Sequence, residues 1–401
     1  MTLRPVVAAV ALSLLGFAAV PVGLNAWQAF GARRARLAEA EAQAQAGAAA
    51  AAAGDLERAV VAFRAAAHLD PDSAERRLAL LRARARLLTE QPESIGSAEG
   101  AGELVHALRL ALERGAAEGL ATDDGGRFLL AVALLEQARG RAAEATAAYD
   151  KALAAAPELA LAWHRKGMML LGAGNAIDAE LPLRRATELA PGDWRFHQAL
   201  GQCHAARSDW ARAAISHRAA VDLHASFETL RALGRAQVGL EQFDGAVDSL
   251  DRARRMLPAG RSPAVDGLAA DLGTALFRSL RVREAVPYLQ AALAAERSAA
   301  NLLGLGLALA HLEAHEQAAA HFEEAIGLDR MLDQAHERLV VSLVKSGQVA
   351  VARAALARFF KLAGGDTRFA GRMAEMRRLE GEVAALLGEA GPVNPEAAPA
   401  P

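Results

Sequence analysis

An all-α fold of repeated helical hairpins is what this 401-residue chain predicts, on three observations. Hydrophobic residues make up 53% but aromatics only 4%, so the apolar content is mainly alanine and leucine, which suit close-packed helices better than sheets. Small and bulky residues recur with a period of about 34 residues, the signature of a repeat array. Prolines such as Pro71, Pro157, Pro191 and Pro258 stand where successive helix pairs should end. One hairpin cannot bury its own apolar face, so stacked neighbours are required.

The clearest unit is Ala160–Asp193. Trp163, Gly167 and Leu170 mark one face of its first helix, and Ala179, Leu183 and Ala186 mark one face of the second. Gly167 and Ala179 are small where the helices approach, while Trp163 and Leu183 fill the wedge on either side. These residues and their spacing resemble the tetratricopeptide repeat (TPR), with its W-x2-L-G-x2-Y, A-x3-F and P outline. The resemblance implies a right-handed TPR superhelix, an α-solenoid of helix-turn-helix repeats. With the N-terminal apolar run it is similar to membrane-anchored bacterial-type TPR proteins.

In chain order, Pro5–Ala32 carries no charged side chain. Residues 1–36 are therefore expected to be a transmembrane anchor or a signal segment, with the membrane met through residues 5–30. A secretory signal would use Val6–Val20 as its apolar core, but Leu24-Asn25-Ala26 puts a bulky leucine where cleavage wants a small residue. The anchor reading makes the protein single-pass. The short N-terminal tail favours an extracytoplasmic (periplasmic) array, whereas Arg33, Arg34 and Arg36 would hold it in the cytoplasm.

Residues 40–366 read as a TPR array of about nine repeats. The first holds Gly47, Ala59, Phe63 and Ala66. The copy at 74–117 is divergent, broken around Pro92 and 91–97. Later copies carry Ala133 and Tyr149, Gly201 and Ala213, Gly234 and Leu250, Gly273 and Leu289, and Gly306 and Phe322, with a linker at 261–265. The last departs from the pattern at Phe359. Residues 367–390 are expected to form a capping helix with Phe369, Met373, Met376, Leu379, Val383 and Leu386 on one face. The tail 391–401 should be disordered.

Charge excludes one function class. With 45 Lys+Arg against 47 Asp+Glu, net charge −2, no global basic field exists to hold nucleic acid. The single cysteine, Cys203, precludes an intrachain disulfide or a C-x-x-C motif and is expected to be a buried structural thiol. His197, His204 and His217 stand where other copies have large residues, and all three should point into one seam. Seven residues separate His197 from His204, about 10.5 Å along a helix, which favours packing over metal ligation. His311 and His315 have i,i+4 spacing, but His321 comes too late for an H-E-x-x-H site. No nucleophile elbow or phosphate loop occurs, and Gly304 and Gly306 read as close helix packing. No catalytic residue, metal or cofactor is expected.

By the resemblance, the first helix of each pair lines a concave groove. The partner-binding residues expected there are Leu161, His164 and Met168, then Arg195, Gln198 and Gln202, then Glu228, Arg231 and Arg235. Arg127, Leu130 and Leu134 precede them and Leu303 and Leu307 follow. This mixture suits a protein or peptide segment with an acidic group at one end. The Lys/Asn arrangement of chaperone-binding TPR domains is not matched. The expected function is a non-enzymatic membrane-anchored scaffold in envelope assembly. The alternative is a secreted soluble TPR module that accompanies an enzyme.

Overall fold

The computed structural model describes the backbone of residues 4–91, 101–118, 122–257, 267–364 and 367–388. Side chains are described within these ranges from residue 28 onward, except at 101–102, 114–118, 122–124 and 367. Among the described residues all regular structure is helical: nineteen α-helices, a 3-10 turn at Thr367–Phe369, and no strand. The expected breaks and linker at 92–97 and 261–265, and the tail from 391, lie outside the described residues.

The expectation of a single-pass membrane protein is corrected. Among the described residues no helix is long and apolar enough to cross a membrane. Helix α1, Arg4–Ala52, continues beyond the uncharged run into Arg33, Arg34, Arg36, Glu39 and Glu41. The side chains of 5–27 lie outside the described set. The membrane contact through residues 5–30 and the periplasmic placement of the array, which rested on that span, fall with it.

The chain divides into two compact units, residues 1–173 with 181–190, and residues 174–180 with 191–401. The first contains α1, α2 (Leu56–Leu69), α3 (Ala74–Glu90), α4 (Ala101–Glu118), α5 (Thr122–Ala138), α6 (Ala142–Ala155), α7 (Ala160–Gly172) and most of α8 (Ala176–Leu189). Leu108, Phe128, Leu130 and Tyr149 centre its core. Buried Glu136 is compensated by Arg109 at 3.0 Å, Arg139 at 3.4 Å and Arg141 at 3.7 Å, as an ionised group out of water requires.

The second unit continues with α9 (Trp194–Ala206), α10 (Trp210–Leu223), α11 (Phe227–Gly239), α12 (Phe243–Arg255), α13 (Leu268–Arg278) and α14 (Val282–Ala295). It ends with α15 (Ala299–His311), α16 (His315–Leu328), α17 (Asp333–Lys345), α18 (Val349–Ala363) and α19 (Ala370–Leu386). One apolar core runs through it from Val221 to Val383. Met376, Leu379 and Val383 bury the inner face of α19, with Phe369 buried just before it, but Leu386 is exposed.

Local chemistry sets the helix boundaries. Asp209 accepts from the Arg212 backbone N–H at the start of α10, and Ser226 and Thr229 form a reciprocal capping box on α11. Most hairpin turns pass through one left-handed residue. Glycine fills that place at Gly140, Gly174 and Gly347, but Ser208, Glu241, Leu280 and Glu313 adopt the same positive φ, between 57° and 63°. For residues bearing a Cβ this backbone costs roughly 1–2 kcal/mol, and the packing of both helices holds it in place.

Candidate protein-binding groove

What holds each hairpin together also decides which residues stay free to bind. In each of several hairpins a glycine of the first helix meets a large side chain sixteen positions further on. A Cβ on Gly234 would lie 2.5 Å from Leu250, one on Gly273 2.8 Å from Leu289, and one on Gly306 2.6 Å from Phe322. Gly167 meets Leu183 in the same way at 2.5 Å. Every such contact is closer than real Cβ atoms tolerate, so only glycine lets the helices approach this far. It follows that the residue after each seam glycine points away from the seam.

In the second unit those following residues line a cavity of ≈ 670 Å³. Gln202, Arg235 and Thr274 each follow a seam glycine and contribute from α9, α11 and α13, while Asn301 contributes from α15 and Trp210 from α10. Ala205, Ala232, Ala236, Ala270 and Ala300 line it as well, and their small side chains leave the space open. Asp271 is the carboxylate of this cavity. Arg231 Nε donates to its Oδ2 at 2.6 Å, and Arg235 Nε lies 3.7 Å from its Oδ1. The groove here presents amide, hydroxyl and charge-paired groups over an apolar floor.

The expected partner-binding residues separate into groups. Gln202 and Arg235 line the cavity and are exposed. Arg231 does not stand free in solvent as expected, because Asp271 draws it to one quarter exposure. Glu228 is exposed, Gln198 is used on His217, and Arg195 is bound to its own helix-capping Asp193 at 2.6 Å. In the first unit Leu161 and Met168 are half-buried, and Leu161 packs on the core. His164, at 9% exposure, is enclosed and offers no surface to a partner. Asp271, Thr274, Asn301 and Trp210 were not anticipated. The position after the seam glycine would have identified Thr274.

The three histidines do not converge. His197 Nε2 sits 2.9 Å from the Pro191 carbonyl oxygen, just as Trp163 Nε1 donates to the Pro157 carbonyl oxygen at 2.8 Å. His336 repeats this on Arg330 at 3.0 Å. The ring thus ties the first helix to the turn before it. His217 instead takes the seam position against Gly201, where a Cβ would lie 2.6 Å from its ring, and its Nδ1–H donates to Gln198 Oε1 at 3.0 Å. Burial, aided by neighbouring His204, pushes the His217 pKa down to about 4, so the ring is neutral near pH 7. His204 is likewise buried, with its pKa lowered by burial first and by Arg212 second. Among the described residues no three His, Cys, Asp or Glu are grouped to hold a metal ion. Cys203 is wholly buried, its Sγ donates to the Ala176 carbonyl oxygen at 3.1 Å, and burial raises its pKa.

Residues 270–330 match the tetratricopeptide repeat family model. No curated protein matches the chain. Among solved structures it is similar to a chain of the APC/C hetero-tetramer Cut9-Hcn1, at 17% identity and TM-score 0.45, over 72% of this chain and 53% of that one. This chain thus spans about half the length of that relative. It is also similar to YrrB, described as a TPR protein with an unusual peptide-binding site, at 19% identity and TM-score 0.40 over 47% and 96% of the two chains. The third likeness is to pilF of Pseudomonas aeruginosa, at 18% identity and TM-score 0.44 over 55% and 98%. These likenesses concern helical layout alone and say nothing of ligands. By the family match, residues 270–330 carry tetratricopeptide repeats, and the same glycine seam recurs before them at Gly167, Gly201 and Gly234.

Proposed function

We propose that the protein is a non-enzymatic interaction scaffold that binds a segment of a partner protein along the first helices of its second unit. The observation that carries this reading is the open cavity shared by α9, α11, α13 and α15. Its alanine floor can take apolar side chains, while Gln202, Arg235 and Thr274 can bond to an extended backbone, whose own amides must be satisfied once water is displaced. The Asn301 side-chain amide nitrogen already donates to the Ala292 and Glu296 carbonyl oxygens. Proteins built from such repeats generally mediate protein–protein contacts, and the groove supplies a surface for one.

The test is peptide display on the full chain, followed by calorimetry with a selected peptide. Arg235→Glu combined with Gln202→Ala should weaken binding at least about tenfold. Arg218→Glu, at an exposed position of α10 that does not line the cavity, should leave it unchanged. Equal affinity for both variants and the parent would refute the groove assignment.

A further inference from the structure

The groove changes character further along the second unit. A second cavity of ≈ 580 Å³, which shares Thr274 with the first, is lined from α13, α15 and α17, with Leu289 from α14 and His315 from the start of α16. Its charged and titratable lining groups are Arg278, Arg338, Lys345, His311 and His315, and no carboxylate is among them. In the neighbouring cavity the single carboxylate of Asp271 faces two arginines; here no lining residue is a carboxylate, although Arg278 also borders a further cavity with Glu241 and Asp244. Arg278 lies 5.8 Å over the ring of Phe243, which belongs to that further cavity. The acid nearest Arg338 in sequence, Glu337, is 3.9 Å away, but it is buried and committed to Arg372. Arg278, Arg338 and Lys345 are all exposed.

We propose that this α13–α15–α17 segment binds a carboxylate-rich stretch of partner polypeptide. Asp or Glu side chains of the ligand would meet Arg338 and Lys345 on one wall and Arg278 on the other. Its apolar side chains would lie on Phe277, Leu307 and Val341, which also line the cavity. Arg338, Lys345 and Arg278, with no carboxylate among the residues lining this cavity, raise the local concentration of an acidic segment, and guanidinium groups pair with carboxylates by two parallel hydrogen bonds. A polypeptide fits better than nucleic acid because the chain as a whole has net charge −2 and supplies no basic field to follow a phosphate backbone. The proposal rests on the groove reading above, and it moves the acid-binding end away from Arg231 and Arg235, which share the single Asp271 carboxylate.

The experiment is fluorescence anisotropy on the full chain with three labelled probes: a short glutamate-rich peptide with interspersed leucines, the same peptide with glutamine for glutamate, and single-stranded oligothymidine. The glutamate peptide should bind at least about tenfold more tightly than the glutamine peptide, and its affinity should fall as salt rises from about 50 to about 300 mM. Arg338→Ala with Lys345→Ala should remove most of that difference, and circular dichroism should show an unchanged helical fold, since both side chains are exposed. Arg218→Ala should have no effect. Equal binding of the two peptides, absence of binding by both, tighter binding of oligothymidine, or indifference to the double substitution would each overturn the proposal. If a display-selected peptide still responds to Arg235→Glu with Gln202→Ala, the general groove reading survives such a failure.

Discussion

Hairpins α9/α10 and α11/α12 share one geometry and fill it with different chemistry. Each has a glycine seam, Gly201 in the first and Gly234 in the second, and each turns through a left-handed non-glycine residue, Ser208 or Glu241. At the seam, however, the first hairpin packs His217 and the second packs Leu250. A neutral, hydrogen-bonded imidazole can therefore stand in for a branched aliphatic side chain at the tightest point of the repeat. The backbone approach is the fixed requirement, and the filler need only be large and uncharged.

The largest effect should come from breaking that approach. Alanine or leucine gains about 1 kcal/mol over glycine in an ordinary helix, but overpacking costs roughly 1–3 kcal/mol or more. At Gly234 the clash should win, because the new Cβ would sit 2.5 Å from Leu250. Gly234→Leu should lower the urea-unfolding free energy by about 3 kcal/mol, and adding Leu250→Ala should restore part of it. Full stability in the single variant would show that the seam has slack.

A second test separates the two fillers by pH. The unfolded chain takes a proton on His217 as pH falls through 6.5, whereas the folded chain resists until about pH 4. Stability is therefore complete above pH 6.5 and declines between 6.5 and 4, by an amount on the order of 3 kcal/mol. His217→Leu, which copies the Leu250 hairpin, should flatten that decline in urea midpoints measured across the window. Buried His204, also lowered, should leave a smaller residual slope. Identical pH profiles for variant and parent would mean that His217 is not the group excluded from charging.

The smallest effect lies in the turns. Glu241→Asn should raise stability by roughly 1 kcal/mol or less, since asparagine accepts the left-handed conformation more readily than glutamate. A calorimetric Tm that stays level or falls would indicate that the glutamate side chain contributes more than its backbone strain costs.

The all-helical fold was legible because alanine, leucine and glycine at a fixed period leave little else to build. Gly167 and Leu183 could be paired from spacing alone, since both obey the seam. The groove was harder to read. Gln202 and Arg235 emerged from the same periodicity, but Asp271 did not, because its significance comes from Arg231, forty residues away across a neighbouring helix. His164 misled because spacing gives the face of a helix without giving what packs on it. His197 misled in the opposite direction: a residue occupying the Trp163 position was assigned to a seam, when its ring reaches back to a turn carbonyl. At the N-terminus, an uncharged run in the sequence suggested a span, whereas no helix among the described residues is long and apolar enough to make one.

The burial of Cys203 has a practical consequence. It is the sole thiol of the sequence, wholly enclosed and hydrogen-bonded to Ala176. A thiol reagent can reach it only during moments when α9 lifts from the start of α8. The rate of labelling in native buffer therefore times the opening of one hairpin inside an otherwise closed array, without any engineered probe. If a ligand seated on Gln202 and Arg235 clamps α9, the same reaction will slow as the groove fills, and one unmodified atom will report on occupancy from the far side of the helix.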